Sequence, residues 1–294
     1  YFNNLCTIIE EIKVYNTKEI PWKEINKESK KLNSSLWKFS DELRKEKEVV
    51  KDVKTPSRKD GSYQQSPSEK LNSDIHHIYK TQEVIRYFEK LSSSHKAQLS
   101  NHPLLLLTGS AGTGKTHLLC DIAEHRIENG LTTFVVFGEY FSDKKDFWTQ
   151  FLAQLGIEEK ISTKKDFLAE INKLGEQNKS RSLVIIDALN ENIAHAPNFW
   201  RKKLYGVIQD IKKYPNIALV VSVRNGFEKN VLLKKTEKEL IKVEHHGFRF
   251  REWEAVNKFF YAFSLPLPEI PLLMSEFQNP LFLLLFCKAF QKRK

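Results

Sequence analysis

Cysteine is scarce in this 294-residue sequence, occurring only at Cys6, Cys120 and Cys287. The three lie far apart with no C-x-x-C spacing, which argues against a zinc site and against a disulfide framework. They are expected to be small buried apolar residues. Long apolar runs are missing as well. No stretch approaches the eighteen or so residues of a membrane span, and the start shows no n-region, h-region and cleavage-site arrangement. The expectation is a soluble cytoplasmic protein with no membrane partner. No internal repeat of solenoid period is visible. Glycine is sparse, 11 in all, yet three of them fall within six residues.

What is present excludes wholesale disorder: 40% hydrophobic residues, with 20 Phe and 5 Trp. The length suits one large domain with an appendage, or two domains. A net charge of +10 fits a lysine-rich solvated surface or a nucleic-acid partner. Its pattern favours the surface, because the charges are scattered in mixed Lys/Glu stretches such as DELRKEKEVVKDVK, residues 41–54. The chain opens on Tyr1 and closes in a helical pattern without a capping glycine or proline, so a window of a longer polypeptide is expected.

The three clustered glycines stand in LLLLTGSAGTGKTHLLC, residues 104–120. Leu104 to Leu107 read as a buried central strand, and the apolar residues after Lys115 as a helix. Between them Gly109, Gly112 and Gly114 permit positive φ and let backbone N–H groups turn inward into a concave nest that suits an anion. Gly109, Gly114, Lys115 and Thr116 complete the G-x-x-x-x-G-K-[ST] pattern in its required strand-then-helix context. The predicted cradle comprises Gly109, Ser110, Ala111, Gly112, Thr113, Gly114, Lys115, Thr116 and His117. Its amides and the helix N-terminus hold the α and β phosphates of ATP or ADP, Lys115 reaches the β and γ phosphates, and the Thr116 hydroxyl ligates Mg²⁺.

Upstream, Leu5, Ile8, Ile9 and Ile12, then Leu32, Leu36, Phe39 and Leu43, recur near helical spacing, so residues 1–53 form a helical N-terminal segment. Residues 54–72 read as a linker rich in Pro, Ser, Gly and charge. Residues 73–247 hold the core. A helix carrying Ile75, Ile78, Val84, Ile85 and Phe88 leads to the first strand, and strand and helix then alternate. Strands are predicted at 104–107, 132–138, 182–187 and 216–224, with a weaker fifth at 240–244; helices lie at 116–129, 146–155, 164–177 and 199–214. Such alternation implies an α/β fold, a parallel sheet with helices on both faces and ligand-binding loops at the carboxyl strand ends.

Two strand ends carry further chemistry. LVIIDALNE places Asp187 at the carboxyl end of the third strand, where it suits a Mg²⁺-holding role better than that of a turn cap. Glu191, four residues on, can orient or deprotonate an attacking water. VVSVRNG ends the fourth strand with Ser222 and Arg224, and the planar guanidinium of Arg224 suits reading a γ-phosphate.

Together these residues resemble the STAND class of signalling ATPases, close to the NACHT group and most similar to bacterial antiviral Avs proteins. GSAGTGKT supplies a Walker A motif, LVIIDALNE a Walker B motif and SVR a sensor arginine. HHGFRF, residues 245–250, resembles the start of the helical domain, and NPLFLLL, residues 279–285, the motif whose proline, here Pro280, approaches the nucleotide base. The likeness covers residues 74–294. It implies a three-layer P-loop NTPase sandwich with strand order 5-1-4-3-2, and a helical lid begun by residues 248–294. It also implies ATP/ADP exchange coupled to homo-oligomerisation, and a phage protein sensed through a C-terminal region. Asn190 stands where NACHT-type motifs commonly carry Asp, which implies hydrolysis that is either slow or dependent on Glu191 alone.

The leading expectation is therefore a low-turnover ATPase switch coupling ligand sensing to an effector in antiviral defence. An AAA+-like loader or remodeller acting on nucleic acid shares the sheet and the overall charge. A P-loop kinase fits least, because beyond Glu139 no acid after the second strand is placed to bind an acceptor.

Overall fold

The structure, a computed structural model, describes residues 5–7, 19–53, 65–158, 163–192, 196, 198–267 and 274–291. They form two compact units, Tyr1–Asn101 and His102–Lys294.

The first unit is a hairpin of two long helices, α1 (Trp22–Val49) and α2 (Pro67–Ser92), followed by the short α3 (His95–Asn101). Asn26 of α1 donates to the hydroxyls of Ser92 and Ser93 at 2.7 and 3.0 Å, while the Arg44 guanidinium sits 5.3 Å from the Tyr79 ring. The start of one helix thus meets the end of the other, and the pair is antiparallel. Ile25, Leu32 and Ile85 bury between them. The helix start at Pro67 lies inside the stretch expected to be linker. The cause is a capping box: the Ser66 hydroxyl accepts from Glu69 N while the Glu69 carboxylate accepts from Ser66 N, with Pro67 at the first helical position. Ser and Pro, read as linker composition, here start a helix. The expected helix through Ile8, Ile9 and Ile12 and the linker residues 54–64 lie outside the described residues.

The second unit is built on five parallel strands: β1 (Leu104–Gly109), β2 (Thr133–Phe137), β3 (Ser182–Asp187), β4 (Ile217–Arg224) and β5 (Ile241–Glu244). Their order is β2-β3-β4-β1-β5, the expected 5-1-4-3-2 arrangement read from the other edge. In register, Leu106 pairs with Val221, Ile185 with Val220 and Leu107 with Val243. All six residues of β3 are buried, because successive side chains enter opposite layers. Val184 and Ile186 join Trp200, Leu204 and Ile208 of α7 (Phe199–Ile211) and the aromatic cluster of α5 (Phe147–Gln154) and α6 (Lys164–Gln177). Leu183 and Ile185 join Leu119 and Ala123 of α4 (Lys115–Glu128) on the other face. Phe141, Phe147, Phe199 and Trp200 pack with ring centroids 4.9–6.1 Å apart, a geometry in which aromatic pairs attract beyond their burial.

Helix α4 is fixed at both ends, which matters for the loop before it. At its C-terminal end Arg126 donates to the Thr133 hydroxyl at 2.9 Å and to the Arg181 carbonyl at 2.6 Å, and Gly130 closes the turn with φ 71°. At its N-terminal end Gly114 takes φ 87°.

At the sheet margin β5 is four residues long and exposes Lys242 and Glu244 in alternation. Lys242 pairs with Glu228 at 3.0 Å and Glu244 accepts from Asn225 at 2.6 Å. Between β4 and β5 run two one-turn helices, α8 (Glu228–Val231) and α9 (Lys234–Glu237). Beyond β5, α10 (Glu252–Ala262) and α11 (Pro280–Gln291) close a small separate core of Val256, Phe260, Phe277, Leu283 and Cys287. The cysteines correct an expectation: Cys287 is buried, but Cys120 is exposed on α4 and Cys6 is only partly covered. Cys120 falls on a solvent-facing position of α4, since its neighbour Leu119 takes the inward one. No helix among the described residues is long and apolar enough to cross a membrane.

Candidate functional site

The carboxyl ends of β1, β3 and β4 lie side by side, so the loops that follow them converge. After β1, the chain turns through Gly112 and Gly114 at φ 73° and 87°, in the left-handed region where a side chain is disfavoured. Thr113 between them is buried, and its hydroxyl donates to the Ser110 carbonyl at 3.0 Å. This internal bond shapes the loop. The α4 N-terminus then begins at Lys115 with no side-chain cap at Gly114, its positive dipole end directed at the loop.

Lys115 folds back over the loop, its ammonium donating to the Gly109 and Ser110 carbonyls at 2.9 Å each. Burial holds its pKa below the usual lysine range. Asp187 and Glu191 pull it upward, and Arg224 pushes it further down. An ammonium partly stripped of water and loosely held by two carbonyls is well prepared for a stronger anionic partner.

One residue on, the Thr116 hydroxyl donates to Asp187 Oδ2 at 2.6 Å. Asp187 is 2% exposed, and its other oxygen accepts from the Ser222 hydroxyl at the end of β4. Ser222 in turn accepts from Ala188 N at 2.8 Å. The ends of β3 and β4 and the start of α4 are therefore linked through one buried carboxylate. This is a P-loop NTPase fold.

Residues 96–202, a little over a third of the chain, match the family described as AAA domain. No curated protein matches the chain. Among solved structures, AMPPCP-bound DnaA from Aquifex aeolicus is 16% identical with a TM-score of 0.42, the match covering 64% of this chain and 54% of that one. A Walker-type ATPase of Pyrococcus abyssi is 15% identical with a TM-score of 0.47, covering 82% and 71%. PCH-2 of C. elegans is 16% identical with a TM-score of 0.33, covering 63% and 48%. The chain spans about half the length of the DnaA structure.

Of the expected P-loop site residues, Lys115, Thr116 and Asp187 come together directly. Glu191 sits on a 3₁₀ turn, Leu189–Asn192, that packs on the turn Gly138–Tyr140; a Cβ at Gly138 would fall 2.8 Å from the Ala188 carbonyl oxygen. Much of Glu191 faces solvent, yet the protein around its carboxyl pushes its pKa up. Glu139 and Asp187 raise it further, and Lys115 opposes them. Arg224 is exposed, with its guanidinium 5.8 Å from the Phe227 ring, and its backbone N–H donates to Asn190 Oδ1 at 2.9 Å. Asn190, the departure noted in the motif, thus ties the third strand's loop to the fourth. The His117 side chain is exposed, so its place in the cradle rests on its backbone at the helix start. Pro280 lies against the loop, 3.6 Å from where a Cβ at Gly114 would stand.

Two loop contacts escape a sequence reading. His245, just past β5, donates its backbone N–H to the Thr108 carbonyl at 2.7 Å, and its own carbonyl lies 2.5 Å from a Cβ placed on Gly109. Burial lowers its pKa, while a bond to the Thr113 backbone works the other way. The other contact is Asn279, whose amide donates to the Ala111 carbonyl at 3.0 Å. Asn before Pro signals a helix start, but nothing in that signal names the loop as neighbour.

Ala188, directly after Asp187, takes φ 56° without being glycine. That conformation costs an L-residue about 1–2 kcal/mol. Ala188→Gly is expected to stabilise the chain by roughly 0.5–1 kcal/mol after the added freedom of the unfolded state is deducted. A thermal melt checks this: the midpoint should rise by about 2 °C, and a fall would show that the methyl group is needed where it sits.

Proposed function

We propose that this chain binds ATP with Mg²⁺ in the loop Gly109–Thr116 and hydrolyses it slowly, serving as a nucleotide-dependent switch. The observation that carries this is the 2.6 Å bond between the Thr116 hydroxyl and the buried Asp187, beside the folded-back Lys115. A hydroxyl from the start of α4 and a carboxylate from the end of β3 form a hard-oxygen donor set of the kind Mg²⁺ prefers. Thr116 and Asp187 would hold the ion, which when bound would neutralise phosphate charge. Lys115 would move from the two loop carbonyls to the outer phosphates. Glu191 would take the proton of the attacking water, and Arg224 would read the γ-phosphate. The AAA domain match over residues 96–202 supports the ATPase reading.

The finer reading is a STAND-type signalling ATPase of antiviral defence, in which the ATP state favours homo-oligomers and a C-terminal region senses a phage protein. It rests on the ordered motifs through residues 279–285 and on Pro280 lying against the loop. The difference in contacts between ATP and ADP states that such a switch requires would come from Lys115, Arg224 and Pro280. Titration with ATP and ADP, with and without Mg²⁺, tests the core of the proposal. Failure of a folded sample to bind ATP–Mg²⁺ at millimolar concentration overturns it.

Arg224→Ala is expected to bring ATP and ADP affinities closer by about tenfold or more, the loss of one charge-assisted contact. An ATP/ADP ratio equal to that of the parent would remove Arg224 from the sensing role. The AAA domain match and the +10 charge favour a second reading, an AAA+-like ATPase acting on nucleic acid. Turnover stimulated by DNA or RNA, and falling steeply with salt, would select that reading over the signalling switch.

A further inference from the structure

The described part of the helical segment beyond β5 grips the loop through its backbone. Asn279 stands at the N-cap of α11, where its Oδ1 accepts from Leu281 N and Phe282 N at 3.0 and 3.2 Å. That is an ordinary helix cap. The other half of the same amide is not used for capping: Nδ2 donates to the Ala111 carbonyl at 3.0 Å. Next to it, Leu281 N also donates to the Gly112 carbonyl, at 3.2 Å. A Cβ on Gly112 would fall 2.8 Å from Asn279 Oδ1 and 2.9 Å from Leu281 Cβ, so the contact leaves no room for a side chain there. The segment is anchored from behind as well: Phe248 N donates to the Gln278 carbonyl at 2.8 Å, and a Cβ on Gly247 would clash with that same oxygen.

In a peptide plane the N–H and C=O point in opposite directions. Two consecutive carbonyls drawn toward α11 therefore turn the N–H groups of Gly112 and Thr113 the other way. We propose that Asn279 is a positioning residue for the phosphate loop, its side-chain amide holding the Ala111 carbonyl toward α11 so that loop conformation and helix position change together. This rests on reading Gly109–Thr116 as the phosphate site, and it adds a role for a residue beside Pro280 that touches no phosphate itself. Asparagine is the side chain that does both jobs, since its oxygen caps the helix while its NH₂ reaches the loop.

The two jobs can be separated. Asn279→Ser keeps a good capping oxygen, but its one hydroxyl hydrogen sits too close to the backbone to reach the Ala111 carbonyl; Asn279→Ala loses both bonds. Hydrogen–deuterium exchange of the chain without nucleotide should show amides 109–116 exchanging about fivefold faster or more in Asn279→Ser, the order expected for one lost neutral hydrogen bond. Amides 281–283 should stay within about twofold of the parent there and loosen only in Asn279→Ala. ATP affinity should weaken by about fivefold in Asn279→Ser. Parental exchange of 109–116 in Asn279→Ser, equal loosening of both regions, or tighter ATP binding would each overturn the positioning role. The exchange readout uses no nucleotide, so a parent that fails to bind ATP would sink the phosphate-site reading while leaving this test to be decided on its own terms.

Discussion

Lys115→Ala is expected to lower ATP affinity by about a hundredfold or more while leaving the fold intact. Among the described residues the ammonium bonds to the carbonyls of Gly109 and Ser110, contacts that water can replace in the variant. With triphosphate present, the same ammonium would make two charge-assisted bonds to phosphate oxygens, each worth about 1.5–3 kcal/mol. Their sum exceeds the roughly 2.7 kcal/mol that corresponds to a hundredfold change. Partial burial strengthens the expectation, because it disfavours the charged lysine by more than Asp187 and Glu191 favour it. Calorimetric titration of the variant against the parent, with circular dichroism to check folding, reads the result. A folded variant that binds ATP as the parent does would end the phosphate-loop proposal.

Glu191→Gln should show the reverse separation, with ATP retained and hydrolysis slowed by about a hundredfold or more, the usual contribution of a positioned general base. The amide is isosteric and cannot take a proton. The pH dependence supplies a second check. Burial, then Glu139 and then Asp187 raise the Glu191 pKa, so its carboxyl stays protonated to higher pH than an ordinary glutamic acid. A base must be deprotonated to act. Turnover of the parent is therefore expected to rise with pH through a pKa above the usual glutamate range and to fall away on acidification, and the Gln variant should lack this limb. Hydrolysis by Glu191→Gln at the parental rate would dismiss Glu191 as the base.

The sequence reveals the sheet because its strands are buried on both faces. SLVIID reads as a continuous apolar run, and all six of its residues are buried. Glycines at 109, 112 and 114 similarly declare a loop whose backbone must turn through the left-handed region or approach a neighbour closely. Composition misleads at Ser66–Glu69, where residues typical of linkers form a capping box, since capping and turn formation draw on the same short polar side chains. Contacts between distant elements are the least visible. Ser222 binding Asp187 spans 35 positions and Asn279 binding Ala111 spans 168, and no local periodicity encodes either. Thr116 with Asp187 could be anticipated only because two separate motifs pointed to one ion.

The short, charged margin formed by β5 closes one edge of the sheet to strand addition. A strand of four residues, with Lys242 and Glu244 pointing outward and engaged by Glu228 and Asn225, makes a poor template for backbone pairing with another molecule. Extension of the sheet past β5 by a strand from another molecule is therefore disfavoured.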